Sequence, residues 1–239
     1  MPDLVRYEPP RKVKHVSSAS SSLSALPPTY ESAFDAANPG IALPAYGNNL
    51  YDDCVIAARA HHTIRLDYDA GKTAVTITEP EVLEEFQTES AQQGTSGLVL
   101  RTSLQDWIYP GWRAGGVGGR TIVNFWGPYN IVQAASSYGY PANEMDEIQV
   151  MTAIIQYTGA QAQLLLPESI SPAFPATFGD ATLWSDTSGQ GASSHVMLLT
   201  GYDQNGPIGI TWGARQHMTW KFLACYCTGL FVVERGEFT

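Results

Sequence analysis

An α+β fold, helix-rich in its first half and built on an antiparallel β-sheet in its second, is predicted by three observations. Apolar residues recur at helical spacing just after Asp53 and again across Glu144–Tyr157. Two apolar runs, His195–Tyr202 and Pro207–Trp212, flank Asp203-Gln204-Asn205-Gly206, whose Asn-Gly tip is a hairpin signal. The clearest helical patterns come first along the chain and the hairpin strands last. With 239 residues, 44% of them hydrophobic, the chain is long enough to bury a sizeable core.

Residues 1–45 differ from the rest. They hold Pro9-Pro10, six serines between Ser17 and Ser24, Pro27-Pro28 and Asn38-Pro39-Gly40. Such a composition offsets little of its own ordering entropy, so an extended N-terminal arm is expected, either disordered or lying along a surface. Residues 46–239 form the expected domain. From Asp53, an acidic N-cap candidate, to about Leu66, residues Val55, Ile56, Ala57, Ala58 and Ala60 predict a buried helix that starts at Cys54. Lys72–Thr78 alternates β-branched residues with others and reads as a short strand. Glu81–Ser90 sets Val82, Leu83 and Phe86 on one helical face and its acidic residues on a solvated one. Leu104–Trp112 reads as a helix interrupted by Pro110, and Gly115–Gly119 turns into a strand at Thr121–Trp126. The helix Glu144–Tyr157 precedes an apolar strand at Ala160–Leu166, and Pro167–Ser194 is a loop. After the hairpin come a short helix, Met218–Tyr226, and a closing strand, Leu230–Glu234.

Charge and cysteine usage narrow the function. The formal net charge is −10, from 13 basic and 23 acidic residues, and no basic stripe exists to track phosphates. A nucleic-acid partner is not expected. No run approaches the roughly 18 apolar residues of a membrane helix, and Arg6, Arg11, Lys12 and Lys14 lead into serines where a signal peptide has its apolar core. Neither membrane nor export is therefore expected. The three cysteines, Cys54, Cys225 and Cys227, make a disulfide framework improbable and a reducing cytoplasm the expected setting.

Cys54 and His195 carry the chemistry. A thiol at the first turn of a buried helix faces unpaired backbone N–H groups and the positive end of the macrodipole, both of which favour thiolate. His195 stands where a polar Gly/Ser-rich loop enters an apolar strand, a position from which an imidazole reaches a thiolate. Asp52 and Asp53 oppose thiolate formation unless one of them caps the helix. Other candidates are weaker. Gly115–Gly119 lacks the Gly-Lys-Ser/Thr of a phosphate loop and leads into a strand. His61 and His62 point about 100° apart on a helix, so with Asp67 and Asp69 they make no metal motif. Nothing separates Glu81, Glu84, Glu85 and Glu89, as a glycosidic carboxylate pair, from surface charge.

The segments Gly47-Asn48-Asn49-Leu50-Tyr51-Asp52-Asp53-Cys54-Val55-Ile56-Ala57-Ala58 and His195-Val196-Met197-Leu198-Leu199-Thr200-Gly201-Tyr202-Asp203, with Gly209-Ile210-Thr211-Trp212-Gly213, resemble the papain-like cysteine peptidase family. The likeness is nearest to small bacterial and phage papain-like proteins and covers roughly residues 45–235. It implies a papain-like fold and a peptidase or amidase that needs no metal or cofactor. Carried over by position, Cys54 attacks a carbonyl carbon and His195 moves the proton. Asn48, six residues before Cys54, forms the oxyanion hole with the Cys54 N–H. The family's Asn-Ser-Trp-Gly is here Ile210-Thr211-Trp212-Gly213, which leaves an aliphatic side chain where the orienting amide belongs. A shifted strand would bring the Thr211 hydroxyl to the imidazole instead. Trp212 is expected to cover His195, and Asn49 is a further candidate binding residue. Two functions from different classes follow. One is a cysteine hydrolase with a peptide or amide substrate. The other is a papain-like scaffold in a homo- or hetero-oligomeric assembly, gripping a neighbour through the arm as a virion component does.

Overall fold

A computed structural model describes residues 26–114, 118–129, 147–170 and 182–235. The serine-rich stretch, Gly115–Val117, Glu144–Asp146 and residues 171–181 of the expected loop lie outside them.

The apolar spacing after Asp53 produces a helix, α2 (Cys54–Asp69), following β1 (Tyr30–Glu31) and α1 (Ala33–Ala37). It is buried almost all round: Val55, Ile56 and Ala60 pack in the core, and so do Arg59, His61, His62 and Arg65. Helix α3 (Glu79–Gln93) opens on a capping box between Thr78 and Glu81 and stops at Gly94 in the left-handed conformation, φ 67°. Helix α4 (Leu100–Ile108) ends before Pro110, and Trp112 beyond it is fully buried. The strand expected at Lys72–Thr78 does not form. Those residues connect α2 to α3 with no strand beside them, and the β-branched Ile77 is buried in the helical core instead. The acidic face expected on α3 is not solvated either. Glu85 and Glu89 are fully buried, Glu89 2.6 Å from Arg59 and Glu85 2.8 Å from Arg113. Arg59 also lies over the ring of Trp112, 4.5 Å from its centre.

Seven antiparallel strands make one sheet. Six run in the order β2 (Ile122–Tyr129), β7 (Cys227–Arg235), β3 (Ala160–Pro167), β4 (Gly191–Tyr202), β5 (Pro207–Thr211), β6 (Ala214–His217), and β1 pairs with β4. The hairpin is where Asn-Gly predicts it: Asp203 Oδ1 accepts from the Asn205 and Gly206 N–H groups, and Tyr202 pairs with Pro207. Helices α5 (Glu147–Gln156) and α6 (Trp220–Tyr226) accompany these strands. Strand β4 divides two cores by its two-residue period. Met197 and Leu199 join the cluster that includes α5 and α6 residues, whereas Val196 and Leu198 join the cluster of α2–α4.

Residues 26–45, the latter part of the expected arm, carry structure of their own. Tyr30 and Glu31 pair with Tyr202 and Gly201 of β4, and Ser32 caps α1. The carboxyl of Asp35 binds Nε and Nη2 of Arg65 on α2, and all three of Ser32, Asp35 and Arg65 are buried. The Pro27 carbonyl accepts from the Tyr202 hydroxyl at 3.0 Å, and the Pro44 carbonyl lies 3.1 Å from His61 Nε2.

Candidate active site

Cys54 is the first residue of α2, and His195 is the fifth of β4. The strand thus begins four residues earlier than the apolar pattern indicates, because Gly191–Ser194 are extended but exposed and burial starts at His195. Both residues line one cleft of about 290 Å³ between the helical layer and the sheet. Asn48, Tyr51, Asp52 and Gly97 stand on the Cys54 side. Gln163, Ser194 and Trp212 stand on the His195 side.

The cysteine sulfur faces the backbone N–H groups of Val55, on its own helix, and of Val196, the residue after His195. Burial nonetheless pushes the thiol up to about 12. These two N–H groups oppose the rise, and the charges of Asp53 and Asp52 add to it. Removal from water therefore outweighs the helix terminus that, on sequence grounds alone, favours thiolate. Burial also pushes the His195 imidazole down to about 3. At neutral pH the resting pair is a thiol and a neutral imidazole.

Thr211 meets the histidine. Its hydroxyl lies 2.6 Å from His195 Nε2, and both residues are buried. That leaves Nδ1 as the nitrogen open to other partners. Ile210, one residue earlier, is core. The register of β4 on β5 shifts between Leu199 and Gly201, and Thr211 ends β5. Trp212 stacks on the imidazole, with ring centres 4.2 Å apart and planes 23° from parallel. Trp212 and Gly213 form the two-residue turn between β5 and β6, with φ of 47° and 76°. Positive φ at both positions is the signature of a type I′ hairpin turn, for which glycine is favoured and tryptophan is strained. A Cβ on Gly213 would stand 3.0 Å from the Leu43 carbonyl oxygen, so the N-terminal segment packs directly on this turn.

Asn48 is buried, its N–H bound to the Ala45 carbonyl at 3.0 Å, and its side chain lines the cleft. Asn49, one residue on, is exposed and lies outside the cleft lining. Asp53 occupies the N-cap position, but its side chain makes no capping bond. Its φ and ψ of −95° and 15° are not the extended values from which a cap reaches back to the first turn. The carboxyl is fully buried, and neither oxygen finds a partner on another residue. Burial, helped by the charges of Glu79 and Asp52, pushes it up to about 7.

Among the described residues no group of three or more His, Cys, Asp or Glu is placed to hold a metal. His61 and His62 are buried, with Nε2 against the carbonyls of Pro44 and Tyr157, and burial pushes them down to about 3 and about 4. Cys225 is exposed on α6 and Cys227 buried on β7, so they share no strand face. No helix among the described residues is long and apolar enough to cross a membrane. The sequence reading misses Gly97 and Gln163, since a loop glycine and a strand glutamine carry no motif. It also misses the orphaned state of Asp53, which depends on backbone angles.

No family model matches the sequence, and no curated protein matches it. Solved structures do. Xylellain, a cysteine protease from Xylella fastidiosa, superposes with a TM-score of 0.56 at 10% identity over 90% of this chain and 88% of its own. The Carica candamarcensis cysteine protease CMS1MS2, solved in complex with E-64, gives 0.54 at 13% identity over 89% of this chain and 100% of its own. At such identities the likeness establishes the fold alone: a papain-like two-lobed architecture, with Cys54 in the helical half and His195 in the sheet.

Proposed function

We propose that the protein is a papain-like cysteine hydrolase, a peptidase or amidase that cleaves an acyl–nitrogen bond at Cys54. The observation that carries it is the meeting of three elements at one cleft. The thiol heads α2 beneath the Val196 N–H, the neighbouring His195 lines the same cleft, and Thr211 holds the far nitrogen of its ring. In the reaction the Cys54 sulfur attacks the carbonyl carbon while His195 Nδ1 takes the thiol proton. Asn48 and the Cys54 N–H receive the oxyanion. The C–N bond then breaks as the imidazolium returns the proton to the leaving nitrogen, and water, deprotonated by the same ring, releases the acyl group from sulfur. Every group in the cycle belongs to the chain, the substrate or water.

The test is labelling with a peptidyl chloromethyl ketone, read by mass spectrometry, together with turnover of a fluorogenic peptide mixture. Modification at Cys54 that disappears in Cys54→Ala and falls at least tenfold in His195→Ala is the expected result. Labelling of Cys54 that is indifferent to His195, with no turnover, overturns the proposal.

One observation favours a second function, a catalytically weak scaffold in an assembly such as a virion. Burial drives the thiol up and the imidazole down, away from an ion pair. In that case residues 1–25, the serine-rich part of the N-terminal arm, are proposed to grip a neighbour. Removing them and measuring mass in solution separates the two functions, because a hydrolase in the cytoplasm keeps both its mass and its activity.

A further inference from the structure

We propose that Asp52 is the specificity-determining residue of this cleft and that it selects a substrate whose side chain beside the scissile bond carries a cation, lysine or arginine in a peptide. The inference rests on the hydrolase function above for the position of the bond, and on three observations for the charge.

Asp52 is two residues before Cys54, is exposed, and lines the cleft. A side chain adjoining the attacked carbonyl lies one or two bonds from the sulfur's target, so the lip that carries the nucleophile is the lip it passes. Beside Asp52, on the same side of the cleft, stands Gly97. A Cβ there would sit 3.8 Å from the Asp52 Cβ, so the Ser96–Leu98 loop approaches closely at the one position that carries no side chain. The gap is narrow, and an acid marks its edge.

Among the described residues no cation answers that acid. The ionisable groups lining the cleft are Tyr51, Asp52, Cys54 and His195, with no lysine or arginine among the described lining residues. Residues 115–117, 130–146, 171–181 and 236–239 contain none either, the cations outside the described residues being Arg6, Arg11, Lys12 and Lys14 of the N-terminal stretch, and the net charge of −10 repels an acidic substrate at longer range. Asp52 has no ion-pair partner among the described residues, whereas buried Asp35, Glu85 and Glu89 each have an arginine. A substrate cation is the group that completes it. Such a cation also weakens the opposition of Asp52 to charge on the neighbouring sulfur, so binding and activation of the thiol are coupled.

Two fluorogenic peptides that differ only in arginine or citrulline before the scissile bond test this. The expected kcat/KM ratio is roughly 10 in favour of arginine at low salt, shrinking as salt is added. It falls to about 1 in Asp52→Asn and inverts, in favour of citrulline, in Asp52→Lys. The same peptides are titrated against Cys54→Ala, and against Cys54→Ala with Asp52→Asn, by fluorescence anisotropy. Equal turnover of both peptides by the parent overturns the proposal and leaves the hydrolase function standing. Absence of turnover, with arginine bound more tightly in an Asp52-dependent way, upholds the proposal and removes the hydrolase function. Failure to bind or cut either peptide overturns the proposal.

Discussion

Nε2 of His195 and the hydroxyl of Thr211 lie 2.6 Å apart at the buried end of the hairpin strand β5. A hydroxyl both donates and accepts, so it satisfies either tautomer of the ring, where an amide oxygen would enforce one. Orientation therefore comes from two sources. The hydroxyl fixes one nitrogen, and Trp212, stacked at 4.2 Å, fixes the plane.

Thr211→Val removes the partner and keeps the shape. An unsatisfied buried ring nitrogen costs roughly 1–3 kcal/mol. The expected outcome is a fall in kcat of about 10–100-fold with KM little changed. Thr211→Asn, which restores a polar partner, recovers part of the loss, and steady-state kinetics on one peptide substrate read both.

With the thiol pushed up to about 12 and the imidazole down to about 3, Cys54 is alkylated through a small thiolate fraction. Its rate with iodoacetamide, followed on the Cys54 peptide because Cys225 is also exposed, rises about tenfold per pH unit from 6 to 9. A plateau reaching down to pH 5 is the signature of a preformed ion pair and contradicts this expectation.

Asp53 makes stability fall with pH. Its folded value, about 7, lies above the ordinary 3.8, so between the two the folded state holds a proton that the unfolded state has lost. The contribution is complete below the lower value and is lost as pH rises through the upper one. Asp53→Asn is thus expected to melt higher than the parent at pH 8, by roughly 4 °C, and nearly with it at pH 4.

Asp35 works in the opposite sense. Burial raises its carboxyl, but the two bonds and the charge of Arg65 outweigh that and hold it below the ordinary value. Its contribution is complete above the ordinary value and is lost as pH falls from there through the lower, folded one. Asp35→Asn leaves Arg65 buried without its counter-charge, an expected loss of roughly 3 kcal/mol, read from a urea midpoint at pH 7.

His61, His62 and His195 add an acid limit. All three are pushed below the ordinary 6.5, so the unfolded state takes up protons first, and stability drops as pH falls from 6.5 toward 4. Each group contributes a slope of up to about 1.4 kcal/mol per pH unit. Melting curves at pH 7, 6 and 5 are expected to shift down with growing steps.

Where a pattern is local, the sequence reveals it. Val55 to Ala60 mark α2, and Asn205-Gly206 marks the hairpin, because spacing and turn chemistry act within a few residues. What escapes is what a distant partner decides. Lys72–Thr78 alternates like a strand but has no sheet edge beside it. Glu85 and Glu89 look solvated until Arg59, some thirty positions away, is folded against them. Strand β6, Ala-Arg-Gln-His, has no apolar signature and forms by pairing with β5. In the candidate site, Cys54, His195 and Asn48 are named by the resemblance to papain-like peptidases, and all three line one cleft. The Thr211 contact is legible only as a condition on strand register.

The segment 26–45 touches both banks of the cleft: it pairs with β4 in the sheet, clamps Arg65 on α2 and packs under the Trp212-Gly213 turn. Levering the banks apart means breaking a strand pair and a buried ion pair together. For the hydrolase proposed above, such a tie favours a substrate that arrives already slender, as an unfolded tail or loose loop.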